Sequence, residues 1–357
     1  MHLEIPPGAG VEDYNRYTRR KVLFLLFLCG ITVLLFFLGI IIGSMTLSVT
    51  DVFSSLFHPE NDNASLIIWS IRIPRVLAAL ISGAGLAAAG VVMQSVLRNP
   101  LSSPYTLGIS HAAGFGAAFA ITIFGAGTLS HNISDAVTIR NPYIITICAF
   151  LGSMIATVIL LAVARYRSSR PEVIILLGVA LAALFTAGTT FLQFFSSTDQ
   201  IAAIVFWTFG DVGRATWSDL AIIAVIVLPA TGYFFWSRWD YNAVDAGDDT
   251  ARSVGVNVER SRTVGMFLGS LITAVVVSFL GIIGFIGLLG PHMVRRIVGS
   301  DHRYLLPGAC LMGAILLLAA DIVARIIIAP AVLPVGVLTA FLGAPLFIYL
   351  ILGRQRM

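Results

Sequence analysis

"RTVGMFLGSLITAVVVSFLGIIGFIGLLGP", residues 262–291, holds no charged residue after its first arginine. A helix needs about 20 apolar residues, each rising about 1.5 Å, to cross the hydrocarbon core of a bilayer. The end of the stretch contains five residues that break helices: Gly281, Gly284, Gly287, Gly290 and Pro291. Lipid cannot hydrogen bond with the backbone that such a break exposes. The stretch therefore predicts a membrane protein in which this segment is buried among helices or lines a pathway.

Similar apolar runs recur along the 357-residue chain, which is 58% hydrophobic and only 11% charged. Soluble domains carry about 25% charged residues. We predict an all-α polytopic membrane protein with about ten transmembrane helices and almost no mass outside the membrane. The predicted spans lie near residues 22–44, 74–97, 111–126, 143–164, 173–195, 218–237, 262–282, 288–298, 305–328 and 335–352.

The distribution of the 22 lysines and arginines gives the orientation of these spans. Ten spans place both termini on one side, and that side receives 17 of the 22 basic residues. By the positive-inside rule we predict cytoplasmic N- and C-termini, with residues 1–21 as a cytoplasmic tail. The first apolar run is too long for the core of a cleavable signal, which predicts an uncleaved anchor. The same rule accounts for the net charge of +4 without nucleic acid as a partner.

Two apolar segments resemble each other. "RVLAALISGAGLAAAGVVMQSVLRNP", residues 75–100, begins with an arginine and ends at a proline, as the opening stretch does. The two segments are five spans apart and enter the membrane from opposite sides, which is typical of the inverted repeats of transporters. Small-residue spacing for helix packing also produces such similarity, so both interpretations stay open.

The sequence lacks the residue patterns that several kinds of chemistry require. Lys21 is the only lysine and follows an arginine, so no G-x-x-x-x-G-K-[ST] phosphate loop for ATP hydrolysis exists. No Ser/His/Asp set or His/Cys/Glu cluster has the spacing of a catalytic or metal site. We predict a chain that is not an enzyme and has no cofactor or metal site. An ion-coupled carrier would need buried acids or histidines, and the spans hold essentially one ion pair.

Asp321 and Arg325 form that pair, at positions i and i+4 near the outer end of the ninth span. The pair is either a structural clip or a means of presenting Arg325 to the outer surface. Arg72 and Arg75 lie at the outer mouth of the second span, where a lone arginine would extend toward the interface. Three outward arginines together also suit a docking ring for the carboxylates of a partner.

A charged segment, "VDAGDDTARSVGVNVER", residues 244–260, separates the sixth and seventh spans on the cytoplasmic side. We call residues 240–257 the island. Residues 248–254 are predicted to form a short surface helix with acids in its first turn. The island is either a solvated loop or a helix that fits a groove on a cytoplasmic motor protein.

Four segments together resemble the FecCD family, the membrane subunits of ABC importers for iron–siderophore chelates, haem and cobalamin. They are "GDDTARSVGVNVERSR", "GIIGFIGLLGPHMVRRIVGSDHRYLLPGACLMGA", "LLLAADIVARIIIAPAVLPVGVLTAFLGAPLFIYLIL" and "IRIPRVLAALISGAGLAAAGVVMQSVLRNPLSSPYTLGIS". The similarity runs in consistent order from about residue 71 to residue 354, and the cobalamin branch is especially similar toward the C-terminal end.

The resemblance implies a type II ABC importer permease fold with an inverted repeat, as a single domain over residues 22–357. It implies a homodimer or pseudo-dimer in a prokaryotic cytoplasmic membrane, with a metal chelate moved into the cytoplasm by alternating access at the dimer interface. An extracytoplasmic substrate-binding protein is expected to dock on Arg72, Arg75 and Arg325. Two cytoplasmic ABC ATPase subunits are expected to engage coupling helices in the island at Gly247, Asp248, Ala251, Arg252 and Gly255.

The resemblance also implies a set of gate and pathway residues: Asn99, Pro100, Leu101, Arg170, Pro171, Glu172, Gly284, Gly287, Pro291 and His292. His292, taken by itself, indicates a hydrogen-bonding group at a helix start more than a metal ligand. The sequence departs from the family pattern at residues 170–172, where small hydroxyl residues are common, and at Gly290. In the island, valine or alanine replaces the usual leucines at Val244, Ala246 and Val254.

The cargo stays open at this point. The same family imports oxyanions such as molybdate in some branches, and an ion-coupled secondary carrier is a further alternative. Selection of the cargo is expected to occur mainly in the binding protein.

Overall fold

The structure, a computed structural model, describes residues 11–43, 63–126, 142–166 and 171–352. It also describes five single positions: Ser48, Thr50, Val52, Ser54 and Ser55. Within these residues the secondary structure is helical and contains no β-strand. The prediction of an all-α protein is therefore confirmed.

Fourteen α-helices form the described chain. The first is α1 (Val11–Ile41), and α2 (Asn63–Ile67) continues through a π-helical turn (Ile68–Arg72) into α3 (Ile73–Val96). The others, in chain order, are α4 (Ile109–Ile123), α5 (Pro142–Tyr166), α6 (Pro171–Phe194), α7 (Thr198–Thr208), α8 (Trp217–Trp236), α9 (Arg238–Ala246), α10 (Asp248–Ser253), α11 (Val258–Leu280), α12 (Ile286–Val298), α13 (His302–Ile326) and α14 (Val335–Leu352). A 3₁₀ turn, Val212–Arg214, lies between α7 and α8.

Each of the ten predicted spans corresponds to a helix, but the count of ten is loose. Seven described helices are long and apolar enough to cross a membrane. The helices α4 and α14 are apolar but shorter. With 13 residues, α12 is about 20 Å long and cannot cross a roughly 30 Å core alone. The chain is a multi-pass membrane protein.

The chain start and two connections differ in detail from the sequence prediction. Residues 11–21, predicted as part of a tail, are helical and continuous with the first span. The helix α7 and the 3₁₀ turn occupy what was predicted as a plain connection before residue 218. Ser197 and Gln200 form a capping box that starts α7, because each side chain bonds the other residue's backbone N–H. In the island, the predicted short helix is confirmed as α10, and α9 precedes it.

The helix α3 lies at the centre of the fold, because its small residues let other helices approach closely. A Cβ atom at Gly83 would overlap the backbone of Gly313 in α13, and one at Gly90 would overlap Gly287 in α12. Gly269 of α11 lies against Met93 of α3. Helices in lipid associate by such close packing, since lipid tails are as apolar as the side chains.

The break between α11 and α12 lies within residues 262–291, whose glycines and proline predicted an interrupted helix. Gly281 has φ +77° and Phe285 has φ +66°, and regular helix stops at Leu280 and resumes at Ile286. The adjacent backbone is bonded within the protein: Asp211 N–H donates to Leu280 O over 2.8 Å, and Gly336 N–H donates to Gly210 O over 2.7 Å. The break is thus embedded in protein rather than exposed to lipid, as predicted from the sequence.

The α3–α13 contact gives a direct test of this packing. We expect Gly83→Ala to lower the thermal unfolding midpoint in detergent, because overpacking costs about 1–3 kcal/mol. Gly30→Ala in α1 is the matched control, since no atom lies within 4 Å of a Cβ there. It should leave the midpoint unchanged or slightly higher, because alanine favours helix by about 1 kcal/mol. Equal midpoints for the two variants would contradict the packing role of Gly83.

Candidate functional site

At the N-terminal end of α3 and the C-terminal end of α13, a buried charge cluster forms around Asp321. The Asp321 carboxylate accepts a hydrogen bond from Arg75 Nε over 2.8 Å and forms a 2.9 Å ion pair with Arg325 Nη2. Arg75 Nη2 also lies 3.4 Å from Asp211 Oδ1. Asp321 is fully buried. A buried carboxylate between two guanidiniums has the paired charges that burial requires.

Arg72 and Arg325 also bind the end of α1. Arg72 Nη1 donates to Ile40 O and Ile41 O over 2.8 and 2.7 Å. Arg325 Nη1 donates to Gly39 O and Ile42 O over 2.8 and 2.6 Å. The last carbonyls of a helix have no partner inside the helix and carry its negative dipole end, so guanidiniums suit them.

The structure brings Arg72 and Arg75 together with Arg325 and Asp321. The sequence had predicted an ion pair only between Arg325 and Asp321. All three arginines are buried, with 3%, 8% and 3% of their surface exposed. These contacts fit the structural-clip interpretation of the pair, and docking of a partner on the three arginines stays a prediction. Asp211 was missed, because its place between α7 and the 3₁₀ turn gives no sequence signal.

At the opposite end of α3, the island folds back on the helix ends. Gly247 has φ +129° and separates α9 from α10, and Gly255 has φ +87° after α10. Side chains rarely adopt such angles, so glycine suits both positions. The buried side chains of Val244, Ala251 and Val258 form a small apolar cluster under the island.

Asp248 attaches the island to two spans. Its carboxylate lies 2.8 Å from Arg98 Nη2 at the end of α3 and 3.4 Å from Arg262 Nη2 at the start of α11. Arg98 also donates to Val244 O over 3.1 Å, and Arg262 Nε donates to Val96 O over 2.9 Å. Two cations from different helices thus bracket one acid of the island. Arg98 and Arg262 were not among the predicted site residues.

Three of the five predicted coupling residues have side chains, and these divide into two groups. Asp248 and Ala251 face inward, whereas Arg252 is exposed and pairs with Asp249 over 3.5 Å. Val254 is 67% exposed. The outward surface of the island consists of Asp249, Arg252 and Val254. Within the described part of the chain these side chains stay exposed, so a partner can bind there.

A second polar network, missed in the sequence, fixes α9 to α3 and α13. Asn242 Oδ1 accepts from His302 N over 2.8 Å and lies 2.9 Å from His302 Nδ1, so Nδ1 carries the proton. His302 Nε2 then accepts from the Ser95 hydroxyl over 2.9 Å. Asp245 Oδ2 lies 3.8 Å from His302 Nδ1, and burial raises the pKa of the Asp245 carboxyl against the opposing influence of Arg295.

The predicted gate residues fall in three places. Asn99 Oδ1 accepts from Leu101 N over 2.8 Å in the loop that directly follows Arg98, with Pro100 between them. In the α11–α12 break, Gly284 faces the ring of Tyr105, so the loop after α3 reaches that break.

The remaining gate residues that the structure describes lie on helices. Gly287 lies against Leu86 O of α3, and Pro291 is buried in α12. The His292 ring lies 6.1 Å from the Phe347 ring of α14. Pro171 and Glu172 open α6. Arg170 lies outside the described residues.

The charge cluster around Asp321 is open to a mutational test. We expect Asp321→Asn to destabilise the protein by about 3–5 kcal/mol, because two buried arginines lose their shared counter-charge. Asp249→Asn is the control, since Asp249 is fully exposed in the island. Thermal unfolding in detergent measures both. An unchanged midpoint for Asp321→Asn would show that the buried arginines do not need this acid.

Comparison with known proteins gives a consistent result over nearly the full chain. An ABC transporter permease of Methanocaldococcus jannaschii is 51% identical over 345 residues, covering 97% of this chain and 98% of the relative. The hemin transport system permease of Yersinia pestis is 37% identical over 316 residues, covering 88% and 90%. A vitamin B12 import system permease of Citrobacter koseri is 36% identical over 338 residues, covering 95% and 96%.

A solved structure agrees with these relatives. It is described as an inward-facing conformation of a metal-chelate type ABC transporter and superposes with a TM-score of 0.78. Its sequence is 31% identical, and the match covers 92% of this chain and 98% of that chain. The family profile of the FecCD transport family matches residues 31–353. By this match and the identities above, the chain belongs to the FecCD transport family.

Proposed function

We propose that this chain is the permease subunit of an ATP-driven ABC importer that moves a metal chelate into the cytoplasm. The proposed cargo is an iron–siderophore chelate, haem or cobalamin. The names of the hemin and vitamin B12 permeases among the relatives support this class of cargo. So does the metal-chelate transporter with the same fold.

ATP hydrolysis is assigned to two separate cytoplasmic ATPase subunits, because the sequence has no phosphate-binding loop. The structure of the island supports this assignment. Its outward surface of Asp249, Arg252 and Val254 is exposed, while Asp248 pairs with Arg98 and Ala251 is buried beneath it. An exposed helix that is fixed to two spans can transmit a displacement, whereas a loose solvated loop cannot.

The contacts of Asp248 suggest how the displacement reaches the gate. A movement of α10 acts on Arg98, and Asn99 to Leu101 follow Arg98 directly in the chain. ATP binding changes the balance of outward- and inward-facing states only if these contacts differ between the states. The permease then contributes a two-state element and no covalent chemistry.

A second permease subunit is proposed to complete the pathway. The helices α6 and α14 expose large apolar side chains, among them Phe194 at 83% and Phe341 at 78%. A membrane protein covers such faces with lipid or with another subunit. We assign part of this surface to a homodimer interface and part to membrane lipid.

An extracytoplasmic binding protein is proposed to dock over the charge cluster at the outer end of α3 and α13. Three arginines and two aspartates give the cluster a net charge of 3 − 2 = +1. Because the arginines are buried, this charge acts through its field on an acidic partner more than by direct contact. The proposed orientation places both termini and residues 1–21 in the cytoplasm, and residues 22–357 form one permease domain.

Arg98 provides a test of the coupling route. We expect Arg98→Ala to reduce chelate transport about tenfold per ATP hydrolysed, because the link between island and gate loop is lost. Arg98→Lys should restore much of the coupling, since it keeps the charge near Asp248. Transport and ATP hydrolysis are measured together in liposomes with the ATPase that co-purifies from native membranes.

Arg238→Ala is the matched control for this experiment. Arg238 lies at the same end of the protein but donates only to Phe235 O over 2.9 Å among the described residues. It should leave the ratio of transport to hydrolysis unchanged. An unchanged ratio for Arg98→Ala would contradict the proposed route.

Val254 tests the island as an ATPase contact. We expect Val254→Asp to prevent co-purification of a P-loop ATPase in mild detergent, because an unpaired charge would be buried in the contact. Val254→Thr keeps the shape and should retain the ATPase. Mass spectrometry of the retained proteins gives the result. Recovery of the ATPase with Val254→Asp at the level of the unchanged protein would place the contact elsewhere.

A further inference from the structure

A cluster of two aromatic rings and one imidazole lies where the loop after α3, the start of α4 and the α11–α12 break meet. The Tyr105 ring lies 5.1 Å from the His111 ring and 6.3 Å from the Phe285 ring, measured between centroids. Tyr105 belongs to the loop after α3, His111 to the first turn of α4, and Phe285 to the α11–α12 break. Three separate parts of the chain thus converge on one place.

His111 is the unusual member of this cluster. Its Nδ1 atom is buried and has no hydrogen-bond partner among the described residues. An ionisable side chain inside a membrane protein is costly and indicates a function. His302, by comparison, has both ring nitrogens bonded, as a structural histidine should. Among the described residues, His111 Nδ1 is thus an unsatisfied polar atom at a position where packing alone would favour an apolar residue.

The cluster is reachable, because Tyr105, His111 and Phe285 are each only partly buried. On α4, His111, Phe115 and Phe119 occupy positions i, i+4 and i+8 and so share one face. Phe115 packs on Phe185 of α6 with ring centroids 5.7 Å apart. His111 is thus the polar end of an aromatic surface that is directed at α6, one of the least covered helices.

The position of Phe285 separates the cluster from the basic end of α12. Phe285 precedes the first residue of α12, and Arg295 and Arg296 lie in the last turn of the same 13-residue helix. The two ends of α12 are about 20 Å apart. A buried polar atom in the cluster, such as His111 Nδ1, needs a partner other than bulk water.

We propose that Tyr105 and His111 are a contact point for the metal chelate on its way through the membrane. The proposal rests on the proposed function. The imidazole and the phenol O–H hydrogen bond with oxygen atoms on the rim of the chelate, such as carboxylates or amides. The rings of Tyr105 and Phe285 pack on its flat apolar surface.

The geometry favours hydrogen bonding over coordination of the metal. A histidine that binds a metal normally donates its other ring N–H to a carboxylate or carbonyl, which fixes the ring. No such partner exists for His111 Nδ1 among the described residues. A weak, exchangeable contact also suits a pathway, where a tightly held cargo would not leave.

Equilibrium dialysis of the permease–ATPase complex in nanodiscs tests the proposal. The probes are hemin, ferric citrate and cyanocobalamin, and the variants are His111→Leu, His111→Asn and Tyr105→Phe. For the probe that the unchanged complex binds, we expect about tenfold weaker binding with His111→Leu and with Tyr105→Phe, since each removes one hydrogen bond. His111→Asn keeps a polar group and should lie between.

Tyr143→Phe is the matched control, because Tyr143 is 62% exposed at the start of α5 and is remote in sequence from the cluster. It should bind as the unchanged complex does. Transport in liposomes with ATP is measured in parallel. If the unchanged complex transports a probe and the His111 and Tyr105 variants bind it equally well, the contact point is wrong while the proposed function stands. If the unchanged complex neither binds nor transports any of the three, both are wrong.

Discussion

The shortage of water inside a bilayer is the constraint on which the rest of this structure depends. Every buried charge and every interrupted helix must find its partner within the protein. Asp321 does so by binding Arg75 and Arg325, and Arg325 in turn binds the last carbonyls of α1. At the start of the α11–α12 break, Leu280 O accepts a hydrogen bond from Asp211 N–H. The charge cluster around Asp321 therefore holds α1, α3 and α13 together.

The helix α3 connects the two ends of the molecule. Its 24 residues span about 36 Å, with Arg75 in the Asp321 cluster at one end and Arg98, just past the helix, bound to Asp248 at the other. Its glycines bring it into close contact with the backbones of α12 and α13. We therefore expect a displacement of the island to reach the charge cluster through this helix.

The sequence predicted the elements better than their contacts. Apolar runs gave a helix at every predicted span, because burial in lipid demands about 20 apolar residues regardless of tertiary structure. The i, i+4 spacing predicted the Asp321–Arg325 pair, which is local. It could not predict that Arg75, 246 residues away in sequence from Asp321, shares the same acid. The sequence also could not predict which island residues face inward, because that depends on where the fold places Arg98 and Arg262.

The distribution of contacts also indicates which helices move during transport. The helices α3, α12 and α13 are joined by backbone-to-backbone contact at glycines and by buried charges, and separating them would expose both to lipid. Among the described residues no buried ion pair holds α6 or α14, and their contacts include Phe285 against Gly343 and Leu107 against Gly178. Apolar surfaces can slide or exchange partners at little cost in lipid, whereas buried ion pairs cannot. We therefore expect α3, α12 and α13 to move as one unit and α6 and α14 to change their positions against it. The cluster of Tyr105, His111 and Phe285 lies between these two groups, so a cargo bound there would contact both.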